Sequence, residues 1–165
     1  ALPEAPTRDA RFLPDSPESL LTLFDPAHKR LFLIDRNTRT LYPIQETIEE
    51  VRNAAWSPKK NRLIWNTGTT IGLLDLERSA REVLVEGTKK IQDIVWDPEN
   101  EYVFYTVGEN IRVREVDNRD ARNDTELTTI PKRKGLLVSG DGKRLYTNGW
   151  YNEKEQLLAV TVADR

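Results

Sequence analysis

The chain has 165 residues, of which 32% are charged, and its formal net charge is −2 at pH 7. This length suits one buried core rather than two ordinary domains, and the mixed charges leave no clustered basic face of the kind that nucleic-acid binding needs. Without cysteine there is no disulfide framework and no zinc–thiolate site, and no apolar run approaches the roughly 18 residues that membrane insertion requires.

A pattern occurs four times along the chain: a short apolar strand, a tight turn and a second apolar strand. The turns begin, in chain order, at Asp25, Ser57, Asp97 and Ser139. Taken as equivalent, these positions lie 32, 40 and 42 residues apart. A period near 40 with strand-like content is a signature of β-propeller blades. The sequence therefore predicts an all-β propeller of four repeats, either a small ring or part of a larger propeller.

The first copy predicts strands over 21–24, 31–35 and 40–44, with little room for an outer strand. Residues 1–19 form a polar, proline-rich segment ahead of the repeats at 20–165, and their one apolar patch is Phe12-Leu13. We expect this patch to add to the strand over 156–162 and to close the edge of the fourth copy, because an unpaired edge is a template for aggregation. The alternative is that this edge pairs with another molecule.

The second and third copies have the clearest strands. Residues 52–85 predict strands at 54–56, 62–66, 70–76 and 81–85, and residues 92–130 predict strands at 94–96, 102–107, 111–117 and 126–130. Four short antiparallel strands make one propeller blade. Trp56 and Trp96 occupy the same repeat position, so we expect both to be buried between blades.

The fourth copy predicts strands over 136–139, 144–147 and 156–163 and ends one strand short. The connection between its last two strands contains Trp150, Tyr151 and Asn152, where the other copies carry small or polar residues. Neighbouring aromatic side chains in a polar loop often anchor a protein partner or a sugar ring. These three residues are the candidate partner-binding site, and the alternative is that they cap the open end of the last blade.

Two segments, Trp56–Trp65 (WSPKKNRLIW) and Ser139–Tyr146 (SGDGKRLY), resemble the Trp-Ser-Pro-Asp-Gly-Lys signature of the WD-like (TolB-type) β-propeller repeat. Residues 96–104 match it more loosely. The resemblance implies the fold rather than a function, since such repeats occur in periplasmic, surface and enzyme-appended propellers. Residues 116–123 are similar to propellers of large bacterial envelope proteins. Together these resemblances imply an extracytoplasmic domain, in the periplasm or at the cell surface.

Few residues suggest chemistry. His28 is the only histidine, and no nucleophile motif accompanies it, so we expect a solvated turn residue rather than a member of a catalytic triad. The oxygen-rich segment 117–124 contains two arginines and no glycine, unlike a calcium loop. We expect no metal, no cofactor and no enzymatic activity.

The function that follows is a non-catalytic module that presents loops to a protein or glycan, or a spacer in a larger cell-envelope protein. The alternative is a regulatory propeller appended to a hydrolase or peptidase domain. Because the chain begins at Ala1 and contains no methionine, we expect a processed product or an excised domain that contacts other domains of a longer chain.

Overall fold

The structure is a computed structural model that describes residues 6–40, 48–117 and 122–162. The regular secondary structure in these ranges is entirely β-strand, and they contain no helix that could cross a bilayer. This confirms the predicted all-β class. The strands are β1 Arg11–Phe12, β2 Leu20–Asp25, β3 Arg30–Asp35, β4 Asn53–Trp56, β5 Arg62–Asn66, β6 Thr70–Asp75, β7 Ala80–Glu86, β8 Ile91–Trp96, β9 Tyr102–Val107, β10 Asn110–Glu115, β11 Asp124–Thr129, β12 Lys134–Val138, β13 Arg144–Tyr151 and β14 Lys154–Thr161.

The strands form four antiparallel sheets in chain order. Sheet 1 is β1-β2-β3, sheet 2 is β4-β5-β6-β7, sheet 3 is β8-β9-β10-β11 and sheet 4 is β12-β13-β14. The chain divides into two compact units, residues 1–86 with sheets 1 and 2, and residues 87–165 with sheets 3 and 4. None of the sheets closes on itself within the described residues.

Sheets 2 and 3 confirm the four-stranded blades predicted for residues 52–85 and 92–130. In sheet 2 Trp56 pairs with Leu63, and forty residues later Trp96 pairs with Val103 in sheet 3. Both tryptophans are 5% exposed. The shared position of the two tryptophans in the repeat is therefore confirmed, together with their burial.

Trp56 packs between two sheets of the first unit, as predicted. It belongs to one apolar cluster with Leu20 and Leu31 of sheet 1 and Leu63 of sheet 2. Its indole Nε1–H donates a 2.8 Å hydrogen bond to the hydroxyl of Thr22, which is itself buried. The donor of the indole is thereby satisfied inside the core, where an unpaired donor would cost free energy.

The partner expected for the Phe12-Leu13 patch is wrong. Arg11 and Phe12 pair with Phe24 and Leu23 of β2, so this segment is the first strand of sheet 1. Among the described strands, β14 pairs with β13 and lies at the edge of sheet 4. The chain entropy lost on closing a loop grows with loop length, so a partner ten residues away costs less to recruit than one at the far end of the chain.

The equivalence assumed for the turn at Asp25 is also wrong. In the turns that begin at Ser57, Asp97 and Ser139, the left-handed backbone conformation falls three residues later, as at Lys60 with φ 58°. In the Asp25 turn it falls four residues later, at Lys29 with φ 53°, exactly as in the turn that follows β6. The Asp25 carboxylate also accepts the backbone N–H groups of Ala27 and His28, as Asp75 does for the corresponding pair after β6.

The first repeat therefore begins one strand earlier than its sequence pattern indicates. β3, β6 and β10 start at Arg30, Thr70 and Asn110, which are 40 residues apart at each step. On the far side of β3, Leu31 and Ile48 exchange backbone hydrogen bonds of 2.9 and 3.0 Å. The strand predicted over 40–44 falls almost wholly outside the described residues. The first repeat is thus complete on its inner side, and the repeat period is close to 40 throughout.

The second unit has its own core between sheets 3 and 4. Phe104 and Ile111 of sheet 3 cluster with Leu136, Leu145 and Val162 from the fourth repeat. As predicted, sheet 4 has three strands within the described residues.

A candidate interaction site at the β13–β14 hairpin

The aromatic pair predicted to lie in a loop lies at the end of a strand. β13 continues through Trp150 and Tyr151, and only Asn152 and Glu153 separate it from β14. Both turn residues have positive φ, 49° and 63°, which is the backbone of a type I′ hairpin whose twist matches that of the flanking strands. The strand predicted over 144–147 is therefore four residues longer, and it holds the aromatic side chains on a rigid hairpin.

Trp150 is fixed by the segment that precedes β12. Its backbone N–H donates a 3.0 Å hydrogen bond to the carbonyl of Pro131. The ammonium of Lys132 lies 3.8 Å from the centroid of the indole ring, within the range of a cation–π contact. Trp150 remains 37% exposed. One face of its ring is thus occupied by a cation from the same chain.

Tyr151 is the most accessible aromatic residue of the hairpin, at 60% exposure. Its backbone carbonyl accepts a 3.1 Å hydrogen bond from the side-chain amide of Gln156. Nearby, Lys134 and Glu155 form a 3.3 Å surface ion pair. The three predicted residues therefore lie together on a surface that offers an aromatic ring and both signs of charge.

A buried arginine, which sequence reasoning missed, supports this surface from below. The Arg133 guanidinium donates to the Asp93 carboxylate at 2.8 Å and to the side-chain carbonyl of Gln92. It also donates to the backbone carbonyls of Gly108 and Gly135. These bonds fix the segment on which Lys132 lies. The sequence offers no signal for it, since Arg133 is one of three cations in Lys132-Arg133-Lys134.

A second polar network lies within sheet 3. The hydroxyl of Tyr105 donates a 2.7 Å hydrogen bond to Asp124, and the Arg112 guanidinium contacts both groups at 3.0 to 3.1 Å. Burial and then the hydrogen bond to Asp124 raise the pKa of Tyr105 to about 12. A phenol with so high a pKa stays protonated at neutral pH, so the network serves structure rather than proton transfer.

His28 is half-exposed, as expected of a turn residue, but it also contacts a buried carboxylate. Its Nδ1 lies 3.1 Å from Asp25, whose side chain is fully buried. Thr7 donates its backbone N–H and its hydroxyl to the same carboxylate. Burial would raise the pKa of Asp25, but these hydrogen bonds outweigh burial and hold the pKa well below its ordinary value. In a catalytic triad the histidine lies between hydroxyl and carboxylate, and here the carboxylate lies in the middle.

The described residues contain no group of three or more histidine, aspartate or glutamate side chains that could hold a metal ion. The oxygen-rich segment considered for calcium includes residues 118–121, which lie outside the described ranges.

Comparison with known proteins shows the fold. No protein-family model matches the sequence, and no curated protein matches it. Among solved structures, the β-propeller domain of Cps50 (Swd1) from Myceliophteria thermophila is similar with a TM-score of 0.64 at 13% identity, over 87% of this chain and 49% of that one. A chain of a mitotic checkpoint complex is similar with a TM-score of 0.62 at 18% identity, over 88% and 48%.

A putative 6-phosphogluconolactonase from Bacteroides uniformis is similar with a TM-score of 0.55 at 13% identity, over 93% of this chain and 54% of that one. The chain has a β-propeller fold. It spans about half the length of the solved structures that it matches. At identities this low the likeness extends to the fold alone.

Proposed function

We propose that the chain is a non-catalytic β-propeller module that binds a protein partner through the β13–β14 hairpin. The observation that carries the proposal is the exposed Tyr151 ring at the end of a rigid strand, beside Trp150 and a Lys134–Glu155 ion pair. Tyrosine and tryptophan are enriched at the energetic centres of protein interfaces because they bury a large area at little entropic cost. Blades fix such residues in place, while their hairpins vary freely.

A protein partner fits this surface better than a glycan. Sugar rings stack on the open face of an aromatic side chain, and Lys132 already covers one face of Trp150. The neighbouring charges of both signs suit a peptide with complementary charges. Tyr151, which keeps most of its ring exposed, would provide the main contact.

The cellular setting is a further part of the proposal. We place the chain among TolB-type propellers in a bacterial envelope protein, outside the cytoplasm, on the strength of the Trp56–Trp65 and Ser139–Tyr146 segments. A fusion of the full-length protein to alkaline phosphatase, which is active only after export, tests the location. An inactive fusion that is stably produced would contradict it.

Peptide display tests the binding site itself. A phage library of random peptides is selected on the wild-type chain and then counter-selected on a Tyr151→Ser, Lys132→Ala variant. We expect enriched sequences that bind the wild type and lose most of their affinity for the variant. The matched control is Val83→Ala, which removes an exposed apolar side chain of sheet 2 and should bind as the wild type does.

Two outcomes would contradict the proposal. Peptides that bind the wild type and the hairpin variant equally would place the interaction elsewhere. A glycan array in which sugars bind through Tyr151 while no peptide is enriched would replace the protein partner with a carbohydrate. Far-UV circular dichroism of each variant confirms that the fold is retained.

A further inference from the structure

Each unit packs its two sheets by the same rule. The face of one sheet that contacts the next sheet along the chain is here called its forward face, and the opposite face is its rear face. In the first unit, the forward face of sheet 1, with Leu20 and Leu33, packs on the rear face of sheet 2, with Trp56 and Leu63. In the second unit, the forward face of sheet 3, with Phe104, packs on the rear face of sheet 4.

The forward face of sheet 4 repeats the apolar residues of the forward face of sheet 3. In sheet 3 the central residue is Phe104, which pairs with Val95 on one side and Val113 on the other. In sheet 4 the central residue is Tyr146, and its partners are apolar as well. The register gives the corresponding pairs of sheet 4 as Tyr146 with Leu137 and Tyr146 with Ala159, and Leu157 takes the place of Ile111.

The two faces differ in burial. Phe104 and Ile111 are 0% exposed, because sheet 4 covers them. Leu137 and Leu157 are each 68% exposed. An apolar sheet face that keeps its leucines in water is a mark of an interaction surface, since such residues gain free energy when another surface covers them.

The rear face of sheet 1 is the complementary surface. Register places Leu21, Leu23 and Ile34 at the positions held by Leu63, Trp65 and Leu74 in sheet 2. In sheet 2 these three side chains are buried against sheet 1. In sheet 1 their counterparts are half-buried, and Phe12 beside them is exposed. Phe32 on the same face is already buried.

We propose that the forward face of sheet 4 binds the rear face of sheet 1 of a second copy of this chain. Every junction in the structure joins a forward face to a rear face, so the contact is head-to-tail rather than self-complementary. The chain spans 48% to 54% of the propeller chains that it matches. Two copies supply eight sheets, which lies within the range of about four to eight blades found in propellers, and a head-to-tail contact of two copies closes into a dimer.

Sedimentation velocity of the intact chain from low to high micromolar concentration tests the proposal. We expect the 19.1 kDa chain to give way to a species of twice that mass as concentration rises. The variant Leu137→Lys, Leu157→Lys should remain monomeric with an unchanged far-UV circular dichroism spectrum, because both side chains are exposed in the single copy. Val83→Lys, which changes an exposed apolar residue of sheet 2, is the matched control and should dimerise.

A mixing experiment tests the head-to-tail arrangement. Phe12→Lys alters the rear face of sheet 1 and should also weaken dimerisation. When this variant is mixed with the Leu137→Lys, Leu157→Lys variant, a heterodimer should form, because one of its two contacts is unaltered. Absence of a heterodimer would overturn the head-to-tail contact.

A wild-type chain that stays monomeric at every concentration would overturn the proposal, as would dimerisation that survives both lysines on sheet 4. The outcome is independent of the peptide-binding proposal. Tyr151 is not among the forward-face residues changed, because successive side chains of a strand alternate between faces and Tyr146 lies on the forward one.

Discussion

Gly72 lies where the backbone of β6 passes under the ring of Trp65, and replacing it with alanine should destabilise the first unit. The two residues are direct partners across β5 and β6. A Cβ atom added to Gly72 would lie 2.8 Å from Cη2 of Trp65 and closer still to Cζ2 and Cε2. No real carbon pair tolerates such an approach, so either the ring or the strand has to move.

The ring has little freedom to move. Trp65 is a buried member of the first unit's core, and the Arg81 guanidinium lies 4.9 Å from the centroid of its ring. Overpacking of a well-filled core costs about 1–3 kcal/mol. Alanine also restricts the unfolded chain more than glycine does, which returns about 0.4–1 kcal/mol. We therefore expect Gly72→Ala to lower the free energy of unfolding by about 1–2 kcal/mol.

Urea unfolding followed by far-UV circular dichroism measures this change. The matched control is Gly140→Ala, whose added Cβ meets no atom within 4 Å and should change stability by about 0.5 kcal/mol or less. In a Trp65→Leu background the same Gly72→Ala change should cost much less, which gives a favourable coupling energy in the double-mutant cycle. Equal stability of Gly72→Ala and the wild type would refute the reasoning, because it would mean that the ring moves freely.

Three further predictions concern burial and titration. Trp96→Ala should lower the free energy of unfolding by about 3–5 kcal/mol in urea, as for a buried aromatic residue truncated to a cavity; a loss below about 1 kcal/mol would show that the site is not packed. Burial opposes ionisation of Asp25, but hydrogen bonds led by that of Thr7 lower its pKa, so its contribution is complete above the unfolded pKa near 3.8 and is lost as pH falls below it. Thr7→Val should therefore flatten the acid limb of stability against pH, and an unaltered limb would contradict this assignment. The pKa of Tyr105, raised to about 12, should appear as a late phenolate transition in the absorbance difference between wild type and Tyr105→Phe, and Asp124→Asn should move it to lower pH.

The sequence by itself determined the strands of the second and third repeats and the placement of Trp56 and Trp96. These features are local. A strand shows itself by alternation over four to seven residues, and its turn by proline, asparagine or glycine a few positions away. The candidate aromatic residues of the last hairpin were likewise visible, although Trp150 and Tyr151 lie on a strand end because a two-residue turn closes it.

The register of the first repeat was beyond sequence reasoning, since Asp25-Pro26 has the same composition as Asp97-Pro98. The two turns differ in which residue adopts positive φ, and in the Asp25 turn that residue is a lysine. Lysine gives no hint of a left-handed backbone, as glycine would. Only the pairing of β1 with β2 fixes the alignment of this repeat with the others.

Tertiary structure also decided which polar residues are buried and which apolar residues are exposed. Arg133 reads as a surface cation but is enclosed by Asp93, Gln92 and two backbone carbonyls. Leu137 reads as a core residue but lies in water. Alternation along a strand separates its two faces, but it does not reveal whether a neighbouring sheet covers either face. Burial is a property of the contact between sheets, and that contact joins segments about forty residues apart in the chain.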